Sequence, residues 1–273
     1  MTAPYSVEDL QHALQFMSRA MRRGGGVARA DFRRPGVTGH EKPGEGIVTP
    51  TDRLIESMLN EALLSRGRPN EGLVAEEARR TWNWVLDALD GSRNFAEGVA
   101  LHVIMASLNN PLGQPVLGII HDPYPDDMFE AIQGMGARLN GAPISVNSNR
   151  QIAGSRIVVP SEKVDGMDVG GLVKCLIDMG AEIIASGSFG HDGTRLAMGN
   201  VTGLIYPYSS PWDVSAIKVL AEEAKRPDGT GGRTTSLTGD EQDYTKPVRG
   251  AVVSNGLIHE ELLGVVRPFL VTA

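Results

Sequence analysis

The chain has one cysteine among its 273 residues, Cys175, so no disulfide can form within it. Aromatic residues make up only 5%, and no stretch approaches the roughly 20 apolar residues that a membrane helix needs. An excess of positive charge is also missing. The 26 Lys plus Arg stand against 33 Asp plus Glu, a formal net charge of −7, which argues against a surface that coats nucleic acid or sits on anionic lipid. The opening MTAPYSVEDL has no basic patch followed by an apolar run, so no secretory leader is read there and the expected compartment is a reducing cytoplasm. With 41% hydrophobic and 22% charged residues, the disordered and fibrous classes are excluded. The length suits one large domain or two lobes sharing a core.

Val7, Leu10, Leu14, Met17 and Met21 recur at three- and four-residue steps behind Ser6-Val7-Glu8-Asp9. This predicts an amphipathic helix of about four turns with a capping-box start. Residues 22–46 hold seven glycines and two prolines among scattered charges and read as a mobile loop. A second helix is expected from Thr49-Pro50-Thr51-Asp52 through Leu54, Ile55, Met58, Leu59, Ala62 and Leu63 to near Gly67. Short apolar runs at 84–86, 103–108, 116–120 and 128–132 predict successive antiparallel strands, and Asn140-Gly141 suits a type I′ hairpin. Beyond Ser148 the rhythm changes to strands at 157–159, 183–185, 204–206 and 251–253, alternating with helices at 172–179, 194–198, 214–224 and 259–266. Residues 226–243 read as a polar loop. The chain is therefore expected to be α+β, with an N-terminal lobe over 1–148 and an α/β lobe over 149–273.

The chemistry is concentrated in Trp84-Val85-Leu86-Asp87-Ala88-Leu89-Asp90-Gly91-Ser92-Arg93-Asn94-Phe95. Two carboxylates three residues apart follow an apolar strand and precede a Gly-Ser turn. Carboxylates crowded at the end of a buried strand repel one another, so a hard divalent cation, magnesium or manganese, is their natural partner. The Gly91-Ser92 turn could offer backbone N–H groups to a phosphate. In isolation, Asp87 and Asp90 read as solvated turn residues, Glu76-Glu77 as a wet surface, and Asp213 is compatible with a helix cap. The combination carries the argument.

In order and spacing these residues resemble the inositol monophosphatase family of lithium-sensitive, magnesium-dependent sugar phosphatases. Four blocks match: Val48-Thr49-Pro50-Thr51-Asp52, Leu73-Val74-Ala75-Glu76-Glu77, the Asp87 to Phe95 run, and Trp212-Asp213-Val214-Ser215-Ala216. The resemblance implies a layered α/β/α/β/α sandwich. It further implies that Glu76, Asp87 and the Leu89 carbonyl bind one metal and that Asp87, Asp90 and Asp213 bind a second. Two or three Mg2+ ions are expected, with Mn2+ as a substitute. By the same resemblance Asp52, Ser92 and Glu76 are catalytic, Ser92 holding a water with Asp52 as its acceptor. Asp90, Gly91, Ser92, Arg195 and Asp213 would meet the substrate. The implied reaction is attack of metal-activated water on a phosphomonoester of a small metabolite, by a homodimer with no membrane or nucleic-acid partner. Inositol 1-phosphate is the default substrate.

Several positions depart from the family pattern. Ala88 replaces a common proline, and Glu223-Ala224-Lys225-Arg226 replaces a glycine helix stop with two cations that suit a helix C-terminus. Tyr206 stands where inositol-selective members carry a glutamate for ring hydroxyls, and Gly193-Thr194-Arg195-Leu196 is aligned with a site-lining run of small residues. An inward Arg195 would favour a second anionic group, which keeps 3′-phosphoadenosine-5′-phosphate and fructose-1,6-bisphosphate phosphatases as alternatives. A non-catalytic regulatory member of the family is the alternative from another class. His102, His121 and His191 lack metal-ligand spacing and are read as structural, and Cys175 as core.

Overall fold

In the computed structural model, which describes residues 5–34, 39–42, 46–66, 71–73, 81–160 and 164–271, Ser6 caps the first helix as its sequence predicts. Its hydroxyl accepts the Asp9 N–H at 3.1 Å, and the Asp9 carboxylate accepts the Ser6 N–H at 3.1 Å. The helix α1 (Val7–Asp31) runs for 25 residues. The hairpin β1 (His40–Lys42) and β2 (Gly46–Val48) follows, then α2 (Pro50–Arg66), β3 (Glu71–Leu73), β4 (Trp82–Asp90) and the short α3 (Ser92–Ala96). The meander β5 (Val103–Asn109), β6 (Pro115–Asp122), β7 (Asp127–Ile132), β8 (Gly136–Leu139) and β9 (Ala142–Pro143) completes the first half. The second half consists of β10 (Arg156–Val158), α4 (Val169–Asp178), β11 (Glu182–Ile184), α5 (Phe189–Ala197), β12 (Gly203–Tyr206), α6 (Pro211–Glu223), β13 (Arg233–Thr235), β14 (Ala251–Ser254) and α7 (His259–Val266).

Strands β3 to β9 form a seven-stranded sheet in chain order, antiparallel except for the parallel β3–β4 pair. The second sheet has the order β11-β10-β12-β14-β13 and is mixed. Ile104, Ala106 and Leu108 of β5 pack on α1 and α2, while Val103 and Met105 face a core shared with α5, α6 and the second sheet. A strand buried on both faces has no polar alternation to keep, which explains its continuous apolar run. Helices α4 and α7 cover the far face of the second sheet. The layers are thus α/β/α/β/α, as expected. The Asn140-Gly141 turn has positive φ at both residues, +50° and +84°, as a type I′ hairpin requires.

Three expectations are corrected. Residues 22–46 are not one loop: α1 continues through Gly24-Gly25-Gly26 to Asp31, and a hairpin follows. Two of the three glycines sit where neighbours come close, Gly24 against Ile55 and Gly25 against His121. A methyl on Gly25 would lie 2.3 Å from Cε1 of His121, which is itself held by Asp126 at 2.8 Å. The loop read at 226–243 contains β13, an edge strand paired with β14, whose Arg-Thr-Thr composition carries no apolar signal. Cys175 is half-buried on α4, whose buried face is Val169, Leu172 and Leu176.

Lys225 and Arg226 also act differently from simple helix-end cations. Lys225 pairs with the buried Glu223 at 3.0 Å. Arg226 donates to the carbonyls of Asn147 at 3.1 Å and Asn255 at 2.7 Å, joining the inter-sheet linker to the start of α7.

Substituting Ala at Gly25 and Gly26 separates packing from helix propensity. Gly26 has open space, its nearest atom lying 4.0 Å from a built methyl, so Gly26→Ala should be neutral or gain up to about 1 kcal/mol. Gly25→Ala should lose about 1–3 kcal/mol by overpacking against His121. Urea unfolding measures both, and equal stability of the two variants would contradict the close approach.

Candidate active site

Residues three apart on a regular strand point to opposite faces, so Asp87 and Asp90 cannot both serve one site from an undistorted β4. The pairing with β5 resolves this. Asp87 is opposite Met105 and Asp90 opposite Val103, three steps against two, and the extra residue forms a β-bulge. Both carboxylates then turn to one side. Asp213, the third residue of α6, completes the group, and oxygens of Asp87, Asp90 and Asp213 all lie within 4.8 Å of one another.

Beyond the bulge, Gly91 has φ +86°, and α3 starts at once with Ser92. A side chain on Gly91 would place its Cβ 2.7 Å from the Leu101 carbonyl oxygen. Ser92 Oγ lies 2.7 Å from the Leu89 carbonyl and also within hydrogen-bond reach of Asp52 Oδ1. A hydroxyl has one proton, so it serves one of these acceptors at a time. Asp52, the third residue of α2, is held by its other oxygen, which accepts the Thr49 N–H at 2.8 Å and the Thr49 hydroxyl.

The acid cluster is electrostatically strained. Burial pushes the Asp87 carboxyl well above the ordinary carboxylate range, and the charges of Asp90 and Asp213 push it further. Asp213 is raised to about 7, chiefly by burial and then by Asp90, against the Ser210 N–H that it accepts at 2.6 Å. Asp90 is raised by burial despite three donors: the Ser188 hydroxyl, the Gly190 N–H at 2.9 Å and the Phe189 N–H at 3.2 Å. Among the described residues, no Lys or Arg pairs with these three carboxylates. A set of hard oxygen donors with unrelieved negative charge fits Mg2+ or Mn2+, and the Leu89 carbonyl at the bulge adds a neutral oxygen beside them.

Asp52, Asp87, Leu89, Asp90, Gly91, Ser92 and Asp213 are thus brought together at the end of β4. Glu76 lies outside the described residues. Arg195 does not join the cluster: its guanidinium is 3.8 Å from Asp192 Oδ1 on its own helix. The alignment of Gly193-Thr194-Arg195-Leu196 with the site-lining run is corrected too. Gly193 packs against Ile217 of α6, and the segment that reaches Asp90 is Ser188-Phe189-Gly190. Sequence reasoning missed it by starting this helix at Thr194, although Ser188 was an available capping residue. Tyr206 is fully buried, donating its hydroxyl to the Phe189 carbonyl at 3.0 Å with its ring centroid 4.3 Å from that of Phe189. The histidines stay out of the cluster. His102 packs among Phe32, Phe95 and Tyr124, and burial lowers it to about 4.

The profile of the inositol monophosphatase family matches residues 9–268. A histidinol-phosphatase from Mycobacterium tuberculosis is 30% identical over 271 residues, covering 94% of this chain and 97% of the relative. A fructose-1,6-bisphosphatase/inositol-1-monophosphatase from Aquifex aeolicus is 24% identical over 276 residues, covering 98% and 100%. Among solved structures, an IMPase from Thermotoga maritima superposes with a TM-score of 0.82 at 25% identity, covering 94% of this chain and 97% of that one. A profile that spans nearly the whole chain, over the sandwich and acid cluster just described, makes this chain a member of the inositol monophosphatase family.

Proposed function

We propose that the chain is a magnesium-dependent phosphomonoester hydrolase acting on a small phosphorylated metabolite. The observation that carries the reading is the convergence of Asp87, Asp90 and Asp213 within 4.8 Å, beside a Ser92 hydroxyl bonded to Asp52. Glu76, Asp87 and the Leu89 carbonyl would hold one ion, and Asp87, Asp90 and Asp213 another. The ions would supply Lewis acidity and charge neutralisation at a bound phosphate.

The chain's own residues do the positioning. With the Leu89 carbonyl assigned to an ion, the single Ser92 proton is left to Asp52. Ser92 then turns a lone pair to the attacking water and aims it, with Asp52 as the terminal acceptor. Thr49 keeps Asp52 in place for this. Gly91 lets the backbone turn sharply enough to bring the start of α3 against the phosphate. A scaffold with only a binding role has no need to hold mutually repelling carboxylates together, which favours an enzyme over a regulatory member.

Inositol 1-phosphate is the default substrate from the family. A second reading, histidinol phosphate, is favoured by the 30% identical relative and by Tyr206, which offers no carboxylate to ring hydroxyls. The bisphosphate alternatives draw on Arg195, which pairs with Asp192, and on Tyr206, which is buried against Phe189. The homodimer, lithium sensitivity, cytoplasmic placement and division at residue 148 are carried as further parts of the same proposal. No helix among the described residues is long and apolar enough to cross a membrane.

Phosphate release from inositol 1-phosphate, histidinol phosphate, fructose 1,6-bisphosphate and 3′-phosphoadenosine 5′-phosphate should be magnesium-dependent for at least one of them. Asp90→Asn or Asp213→Asn should lower kcat/KM by about a hundredfold or more. Absence of magnesium-dependent turnover on the whole panel would defeat the assignment. A second measurement concerns stability without metal. Because Asp213 titrates near 7 in the folded chain against an ordinary 3.8, the native state binds the extra proton between these values. Its contribution to stability is therefore lost as pH rises through that window. The Tm of Asp213→Asn relative to the parent should rise from pH 4 to pH 7.5 in EDTA. Mg2+ should stabilise the parent more at pH 7.5 than at pH 5, since proton and ion compete for the same oxygens; a pH-independent difference between variant and parent would refute the crowding.

A further inference from the structure

Asp90 is satisfied by donors that no motif announced. Ser188 is the N-cap of the nine-residue α5, and its hydroxyl oxygen accepts the His191 N–H at 3.2 Å. Its single proton goes to Asp90 Oδ2, which also accepts the Gly190 N–H at 2.9 Å, while among the described residues Oδ1 accepts only the Phe189 N–H at 3.2 Å. A carboxylate has about four lone-pair positions. Three are taken, both of those on Oδ2 among them, and the position left is on Oδ1.

Asn94, a residue of the Asp87 to Phe95 block without a role so far, supports the same arrangement. Its side-chain amide donates to the Leu101 carbonyl at 2.7 Å and the Ser186 carbonyl at 2.9 Å. The Ser186 hydroxyl in turn accepts the Ser188 N–H at 3.1 Å. Asn94 therefore ties α3 to the turn that delivers Ser188, and Ser188 is itself 2% exposed.

We propose that Ser188, steadied by Asn94, is a positioning residue that restricts Asp90 to one-oxygen ligation and thereby sets the site's preference for Mg2+ and Mn2+ over Ca2+. The inference rests on the phosphatase reading only in taking Asp90 as a metal ligand. The physical reason lies in the ions. Mg2+ demands near-ideal octahedral geometry with single-oxygen ligands, whereas Ca2+ takes six to eight oxygens and readily accepts both oxygens of one carboxylate. With Oδ2 saturated, Asp90 cannot offer the second oxygen. Loss of the Ser188 hydroxyl frees one Oδ2 position and lets the carboxylate rotate.

Calorimetric titration of the full-length, metal-stripped protein with Mn2+ and with Ca2+ tests this without reference to turnover. In Ser188→Ala the preference for Mn2+ over Ca2+, as the ratio of the two Kd values, should fall about tenfold, within the range seen when a partner of a metal ligand is removed. Ser188→Thr, which keeps the hydroxyl, should retain the parent ratio. Asn94→Ala should move the ratio in the same direction by less. A role confined to capping α5 lowers the Tm of Ser188→Ala but leaves the ratio unchanged, and that result overturns the proposal while leaving the phosphatase reading intact. A parent that binds neither ion defeats both, and an unchanged ratio in Asn94→Ala together with Ser188→Ala sinks the proposal even if either variant is destabilised.

Discussion

Mutual repulsion among Asp87, Asp90 and Asp213 is the constraint to which the surrounding structure answers. Three carboxylates with oxygens inside 4.8 Å, Asp90 buried and Asp87 and Asp213 half-buried, oppose folding unless each finds compensation. The compensation is largely backbone. Asp87 accepts the Leu89 N–H at 3.0 Å, Asp213 the Ser210 N–H, and Asp90 two N–H groups at the start of α5. Peptide dipoles lower the cost of the charges without neutralising them, so the cluster stays negative enough to attract ions.

Four helix starts meet around this cluster. Asp52 lies in the first turn of α2, Ser92 opens α3, Phe189 and Gly190 open α5, and Asp213 lies in the first turn of α6. Backbone N–H groups at such starts favour anions as well as carboxylates. The layering explains how this is possible. With α5 and α6 packed between two sheets, their N-termini are delivered to the end of β4, where the bulge presents Asp87 and Asp90. The site is thus built on the ends of packed elements.

Departures from the family pattern are absorbed locally. The cations that replace a glycine stop after α6 are used elsewhere: Arg226 on carbonyls of Asn147 and Asn255, and Lys225 on Glu223, whose carboxylate also accepts the N–H groups of Gly134 and Gly136. Tyr206 fills a buried position under the start of α5 and supports the Phe189 carbonyl from below. In each case the replacement satisfies a nearby polar group.

Much of the fold was legible because its signals are local. Apolar periodicity predicted α2 and the meander strands, and Asn140-Gly141 predicted its hairpin. Legibility failed where distant groups decide. Gly24-Gly25-Gly26 reads as a break until His121 is seen against Gly25, and Arg233-Thr234-Thr235 is a strand only because β14 lies beside it. At the site, chain order and residue type singled out Asp52, Asp87, Leu89, Asp90, Ser92 and Asp213 as candidates. Only the tertiary structure decided that Asp87 and Asp90 share a face, through a bulge visible in the pairing with β5, and that Ser188 holds Asp90 while Arg195 turns to Asp192. Side-chain direction depends on register and on the start of a helix, and packing between distant segments sets both.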